Sequence, residues 1–241
     1  MNNPQQPLEY DAVLGGENQI SSSHDLKMTT ERAVNLLKAG TAGIKAWNLF
    51  RQKETYLPSL EGVDLSGINL TGANLQGVNL KNSKLVKAKL ISVYLINADL
   101  QESDLTQASL TNSNFSNANL QGANLTNANF INSNFTKANL TKANLTEGVG
   151  YNDNVSCNFK EANFSGAIVI RANLKNCNLE STNLTETKFD NANLYGANLQ
   201  NSIIANTSFL NTNLEFADVT GTNFFFAHLN QQTLTNNTRG I

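Results

Sequence analysis

From Leu60 to Leu145 every fifth residue of this chain is Leu or Phe, eighteen times in succession. Two positions before each of these centres stands a small or modest side chain. Ala73, Ser83, Ala88, Ala98, Ser103, Ala118 and Ala123 are examples, with bulkier Val63, Ile68, Val78 and Val93 near the start. The residue in between is usually Asn or Asp. The pattern lapses over residues 146–156, resumes one position out of phase at Phe159, and runs through fifteen further centres to Leu229, all of them Leu, Phe, Val or Ile.

A period of five matches neither a helix at 3.6 nor an unbroken strand at 2, so each unit must join a short extended piece to a turn. In an extended segment the small residue and the Leu point the same way and the Asn between them points oppositely. Ala and Leu are therefore read as inward, Asn as outward, and the last two residues as a corner. Gly62, Gly67, Gly72, Gly77, Gly122, Gly166 and Gly196 fall at that corner, together with many Asn. One short repeat over most of the chain implies a single quasi-one-dimensional body.

Ala73-Asn74-Leu75-Gln76-Gly77 and Ala123-Asn124-Leu125-Thr126-Asn127 resemble the A(D/N)LXX signature of pentapeptide-repeat proteins, and the likeness covers roughly 170 of 241 residues. The resemblance implies an all-β solenoid, a right-handed quadrilateral parallel β-helix of about eight coils, with four units per coil. Residues twenty apart would then stack at about 4.8 Å. Phe115 with Phe135, and Phe189 with Phe209, fall in such columns and would stack in a core that also holds Leu65, Leu85, Leu105 and Leu125. Asp64, Lys84 and Asp104 share an outward column of alternating charge, in which Asp104 is expected to pair with Lys84.

Four segments follow from this reading. Residues 1–26 are polar and aperiodic and read as a mobile tail. Residues 27–56 read as a helical N-terminal cap, with a first helix over 29–37 that starts at Thr29 or Thr30 and stops at Gly40. A second helix over 42–53 places Ile44, Trp47 and Phe50 on an apolar face that covers the first coil. Its sequence around Trp47-Asn48 resembles the helix preceding the repeats in many cyanobacterial members. The repeat domain spans 57–229 with a loop at 146–156, and 230–241 form a C-terminal tail or cap.

Seventeen basic and nineteen acidic residues give a net charge of −2, which selects neither nucleic acid nor a membrane surface as partner. The first twenty residues lack the basic start and apolar run of a signal peptide, so a cytoplasmic protein is expected. Cys157 and Cys177 both take the small inward position, and the family geometry stacks them. A separation near 4.8 Å exceeds the preferred Cβ distance of a disulfide, so they are read as unbonded core residues. With only distant His24 and His228 beside them they make no metal site, and no cofactor is implied.

No catalytic residue is assigned. Asp99, Glu102 and Asp104 are the densest carboxylates, and Lys81, Lys84, Lys87 and Lys89 the densest bases; both groups read as solvated faces. The expected function is that of a non-enzymatic interaction or scaffold protein with an unknown protein partner, acting as a monomer or a weak homodimer through its C-terminal coils. Ile203, Phe216, Phe225 and Phe226 make those coils the most apolar outer surface, either a candidate interface or a surface that residues 230–241 fold back over as a cap. The resemblance also raises DNA mimicry directed at gyrase. Thirteen acids and ten bases between residues 58 and 229 are too balanced for that role, since duplex DNA of a rod's length, about 40 Å, carries about twenty-three negative charges. Ice binding would need flat double rows of Thr, and only Thr106, Thr126 and Thr146 form a column.

Overall fold

The computed structural model describes residues 28–53 and 56–240; the tail expected at 1–26 lies outside the described residues. Helix α1, Thr30–Lys38, is capped by Thr29, whose hydroxyl accepts a hydrogen bond from the Arg32 N–H at 3.2 Å. Gly40, at φ +67°, ends α1 and at the same time begins α2, Gly40–Lys53, two residues earlier than the sequence suggested. Gly43 permits the tight turn between them, because a side chain there would run into the Leu36 carbonyl.

One face of α2 buries Ile44, Trp47 and Phe50 in the same apolar cluster as the first leucines of the repeat. The first coil has no coil beneath it, so its downward N–H and C=O groups need other partners. Asn48 supplies a strand-like pair: its Nδ2 donates to the Gly72 carbonyl at 2.9 Å and its Oδ1 accepts from the Asn74 N–H at 2.8 Å. Trp47 Nε1 donates to the Asn74 carbonyl at 2.8 Å, and Arg51 donates to the Asn74 and Gln76 carbonyls.

Above this cap, parallel bridges join residues twenty apart, as in Asp64 with Lys84, Lys84 with Asp104 and Asn124 with Asn144. Each unit contributes one bridging residue. The following Leu donates its N–H upward and the bridging residue donates downward, as when Leu65 reaches the Lys84 carbonyl at 2.8 Å and Lys84 the Val63 carbonyl at 2.9 Å. Leu65, Leu85, Leu105, Leu125, Phe115, Phe135, Phe189 and Phe209 are fully buried. Phe115 and Phe135 stack at 4.7 Å, and Phe189 and Phe209 at 5.4 Å.

Asn is placed outward for a reason beyond its polarity. The Asn124 Oδ1 accepts from the Thr126 N–H at 3.1 Å and from the Thr126 hydroxyl at 2.6 Å, which fixes the start of the corner; the same arrangement recurs at Asn134, Asn139 and Asn144. The corner then closes with an N–H···O=C bond such as Ala128 to Leu125 at 2.9 Å. Its second residue has positive φ in unit after unit, which favours Gly and Asn there. Asp104 obeys the same rule. Its carboxylate accepts from the Thr106 N–H and hydroxyl, so the expected pairing with Lys84 is replaced by a corner-capping contact.

The interruption is shorter than the sequence pattern suggested. Val149 bridges both Asn129 and Asn173, so the ladder persists to Gly150, and the projecting part is a small hairpin closed by Tyr151 and Ser156. Partners on either side of it are twenty-four residues apart, as in Asn134 with Asn158, which corresponds to four extra residues. Gly150 occupies a centre where Leu or Phe stands elsewhere. A Cβ added there would lie 2.6 Å from the Cys157 sulfur, 2.8 Å from the Phe130 ring and 3.2 Å from the Cys177 sulfur. Phe130 and the two thiols therefore fill the space a leucine would take. Both cysteines are buried and unbonded, and burial pushes the Cys157 thiol up.

The repeat also does not stop at residue 229. Leu234 bridges Asn213 and Arg239 bridges Asp218, each at a spacing of twenty-one, so residues 230–240 continue the last coil after one extra residue. No coil lies above Leu229, which is 42% exposed although it holds a centre position.

Inward and outward positions should respond oppositely to a carboxylate. Leu125→Asp places a charge in a dry column without a partner and is expected to unfold several coils. Asn124→Asp keeps the Oδ1 acceptor that caps the corner and is expected to cost less than about 2 kcal/mol. Thermal melts of both variants check the register, and near-native stability of Leu125→Asp would contradict it.

Candidate interaction surfaces

A ladder that spends its backbone groups on the neighbouring coils leaves side chains as the means of recognition along its flanks. Most outward columns are amides. On one face the Asn139 Nδ2 donates to the Asn119 Oδ1 at 3.0 Å, and the Asn119 Nδ2 donates to the Asp99 carboxylate at 3.2 Å. The same face continues through Asn163 and Asn183 to Ile203, where an aliphatic side chain replaces the amide and is 59% exposed.

Phe225 and Phe226 stand at the corner that follows this face one coil later. They lie in a short 3-10 turn, Phe224–Phe226, whose preceding Asn223 accepts from the Phe225 N–H at 3.0 Å. The turn replaces the bridge that would have stacked on Ile203, and it is tied to the coil below by the Asn206 N–H, which donates to the Phe226 carbonyl at 3.0 Å. Phe224 turns inward and stacks on Phe209 at 5.6 Å. Phe225 turns outward and is 85% exposed, with Phe226 against it edge-on at 5.0 Å. Residues 230–240 do not cover them, because they run on within the last coil.

Phe216 belongs to a different edge. It packs at 5.1 Å on Tyr195, with half its surface exposed. Its φ of +60° puts a bulky aromatic in a conformation that Asn or Gly takes at most other corners. Below Tyr195 lies Lys175 and below that Tyr151, the first residue of the hairpin. The Lys175 ammonium sits 5.0 Å from the Tyr151 ring centre and 5.1 Å from that of Tyr195. Sequence inspection alone misses this stack, because the four extra residues put Tyr151 and Lys175 twenty-four apart and break the column of twenty.

The charged groups noted in the sequence do not converge. Asp99 caps its own corner through the Gln101 N–H at 3.1 Å, as Asp104 does through Thr106, while Lys84 and Lys89 project from successive faces. Lys160 with Glu180 at 2.9 Å, Arg171 with Glu147 at 2.6 Å and Lys137 with Glu161 at 3.4 Å form inter-coil ion pairs. Among the described residues no group of three or more His, Cys, Asp or Glu could hold a metal, and no helix is long and apolar enough to cross a membrane.

Comparison with known proteins finds the family model for pentapeptide repeats in eight copies, over residues 59–90, 88–127, 113–147, 157–194 and 192–231. Proteins of that family fold as right-handed quadrilateral β-helices. Among solved structures, HetL is a pentapeptide repeat protein involved in heterocyst differentiation regulation, from the cyanobacterium Nostoc sp. strain PCC 7120. It is 24% identical over 75% of this chain and 92% of its own, with a TM-score of 0.33. QnrB1, a plasmid-mediated fluoroquinolone resistance protein, is 15% identical over 77% of this chain and 83% of its own, with a TM-score of 0.45. A pentapeptide repeat protein from the Arabidopsis thaliana thylakoid lumen is 31% identical over 48% of this chain and 71% of its own, with a TM-score of 0.23. None of the curated proteins compared matches the chain.

The strained Phe216 gives a direct check on whether its ring serves the fold. Replacing it by Asn, which tolerates positive φ, is expected to stabilise the rod by about 1 kcal/mol, seen as a higher melting temperature. A lower melting temperature would show that the contact with Tyr195 outweighs the backbone cost.

Proposed function

Because the chain belongs to the pentapeptide-repeat family, we propose that it works as a non-enzymatic interaction or scaffold protein. It is a rigid rod of about eight coils that presents the apolar patch of its C-terminal coils to a protein partner. The observation that carries this reading is the exposure of Phe225 and Phe226, with Ile203 on the adjoining face, on a rod whose outward bridging positions are mostly Asn. A second copy of the chain is one partner that could meet this patch, giving a weak homodimer. The two unbonded thiols suit the reducing setting of the cytoplasm.

DNA mimicry directed at gyrase is the second reading, favoured by the rod shape alone. Its charge argues against it: the repeats carry thirteen acids against ten bases, and three of the acids are already paired with bases across coils.

Replacing Phe225 and Phe226 by Ser tests the first reading. An interface predicts that self-association or partner capture is lost at an unchanged melting temperature. A purely structural role predicts a lower melting temperature with association unchanged or increased, as measured by analytical ultracentrifugation and thermal melts.

A further inference from the structure

We infer that the edge carrying Tyr151, Lys175, Tyr195 and Phe216 is a second docking surface, fitted to an extended acidic segment with apolar residues on either side of its carboxylate. This rests on the reading of the protein as an interaction scaffold but uses a different surface. Two rings hold the Lys175 ammonium in place, so the charge is fixed on the rod and does not sample solvent as a free lysine would. Among the described residues it has no ion-pair partner, whereas Lys137, Lys160 and Arg171 each have a glutamate. Neither the Tyr151 nor the Tyr195 hydroxyl has a hydrogen-bond partner among the described residues. One fixed cation flanked by two uncommitted phenol donors is a complement for a carboxylate.

The apolar groups lie on both sides of that charge. Val155 is exposed on the hairpin that begins at Tyr151, one coil below Lys175, and Phe216, half exposed, packs on Tyr195, one coil above it. From Tyr151 to Phe216 the edge climbs three coil spacings, about 14 Å, which five extended residues match at about 3.3 Å each. In an extended pentapeptide the first, third and fifth side chains share one side. A carboxylate at the third position with apolar residues at the first and fifth thus meets the cation and both apolar ends together. The backbone strain at Phe216 suits this role, since an aromatic is kept there where Asn would sit more easily.

The test is an NMR titration of the full chain with acetyl-Leu-Ser-Glu-Ser-Phe-amide, followed at the Val155 methyls and the Tyr and Lys175 signals. The control peptide has Lys in place of Glu. The proposal predicts that the acidic peptide binds at least about tenfold more tightly than the basic one, that Lys175→Arg keeps this preference, and that Lys175→Glu reverses it. Circular dichroism melts verify that each variant is folded. Binding should survive in the Phe225→Ser/Phe226→Ser variant, so failure at one surface is distinguishable from failure at the other. Equal binding of the two peptides, no binding, or an acidic preference that persists in Lys175→Glu would overturn the proposal. Movement of the same signals with protein concentration alone would overturn it too, by marking the edge as a contact between copies of the chain.

Discussion

The whole rod depends on a corner every five residues, because each face of a coil contributes a single bridging residue to the ladder. Such a short strand cannot hold its own direction, and the turn must be fixed by local chemistry. Asn at the bridging position does this by accepting from the backbone two residues on, and a following Thr adds its hydroxyl to the same oxygen. A left-handed residue then completes the turn. Core, columns and outer surface all follow from that repeated corner, since it aims Leu and the small residue inward on every face.

This explains what was legible in the sequence and what was not. The burial of Leu125 and the stacking of Phe115 on Phe135 could be read directly, because inward residues obey the period without exception through that part of the chain. The role of Asn124 could be read only as outward; its bond to Thr126 is a local geometry that the alternation of polar and apolar residues does not encode. Asp104 caps its own corner instead of pairing with Lys84 for the same reason, because a carboxylate can do the capping work of an amide. Gly148 and Gly150 looked like loop residues since neither carries a core side chain, yet the ladder runs through them and Phe130, Cys157 and Cys177 fill the volume. The Tyr151, Lys175 and Tyr195 stack was hidden by the change of register at that same point.

The two ends of the rod are treated differently. At the start, Asn48, Trp47 and Arg51 meet the backbone groups of the first coil and the helices bury its core. At the other end the final units have drifted by one residue, and Leu229, at a centre position with no coil above it, is left exposed. Apolar surface is left open where the repeat loosens, and Phe225, the most exposed aromatic among the described residues, belongs to the 3-10 turn that interrupts the last coil. These departures from the repeat are tolerable because the repeat itself is stable.

Amide hydrogen exchange along the chain tests most directly the claim of one continuous ladder, capped at its start and open at its end. The Gly150 N–H, which donates to the Asn173 carbonyl at 2.8 Å, should exchange as slowly as the Leu145 N–H, and the Asn74 N–H held by Asn48 should also be protected. The Leu229, Thr235 and Gly240 amides, which face off the open end, should exchange fast. Rapid exchange throughout residues 146–156, or equal protection at the two ends of the rod, would contradict the account.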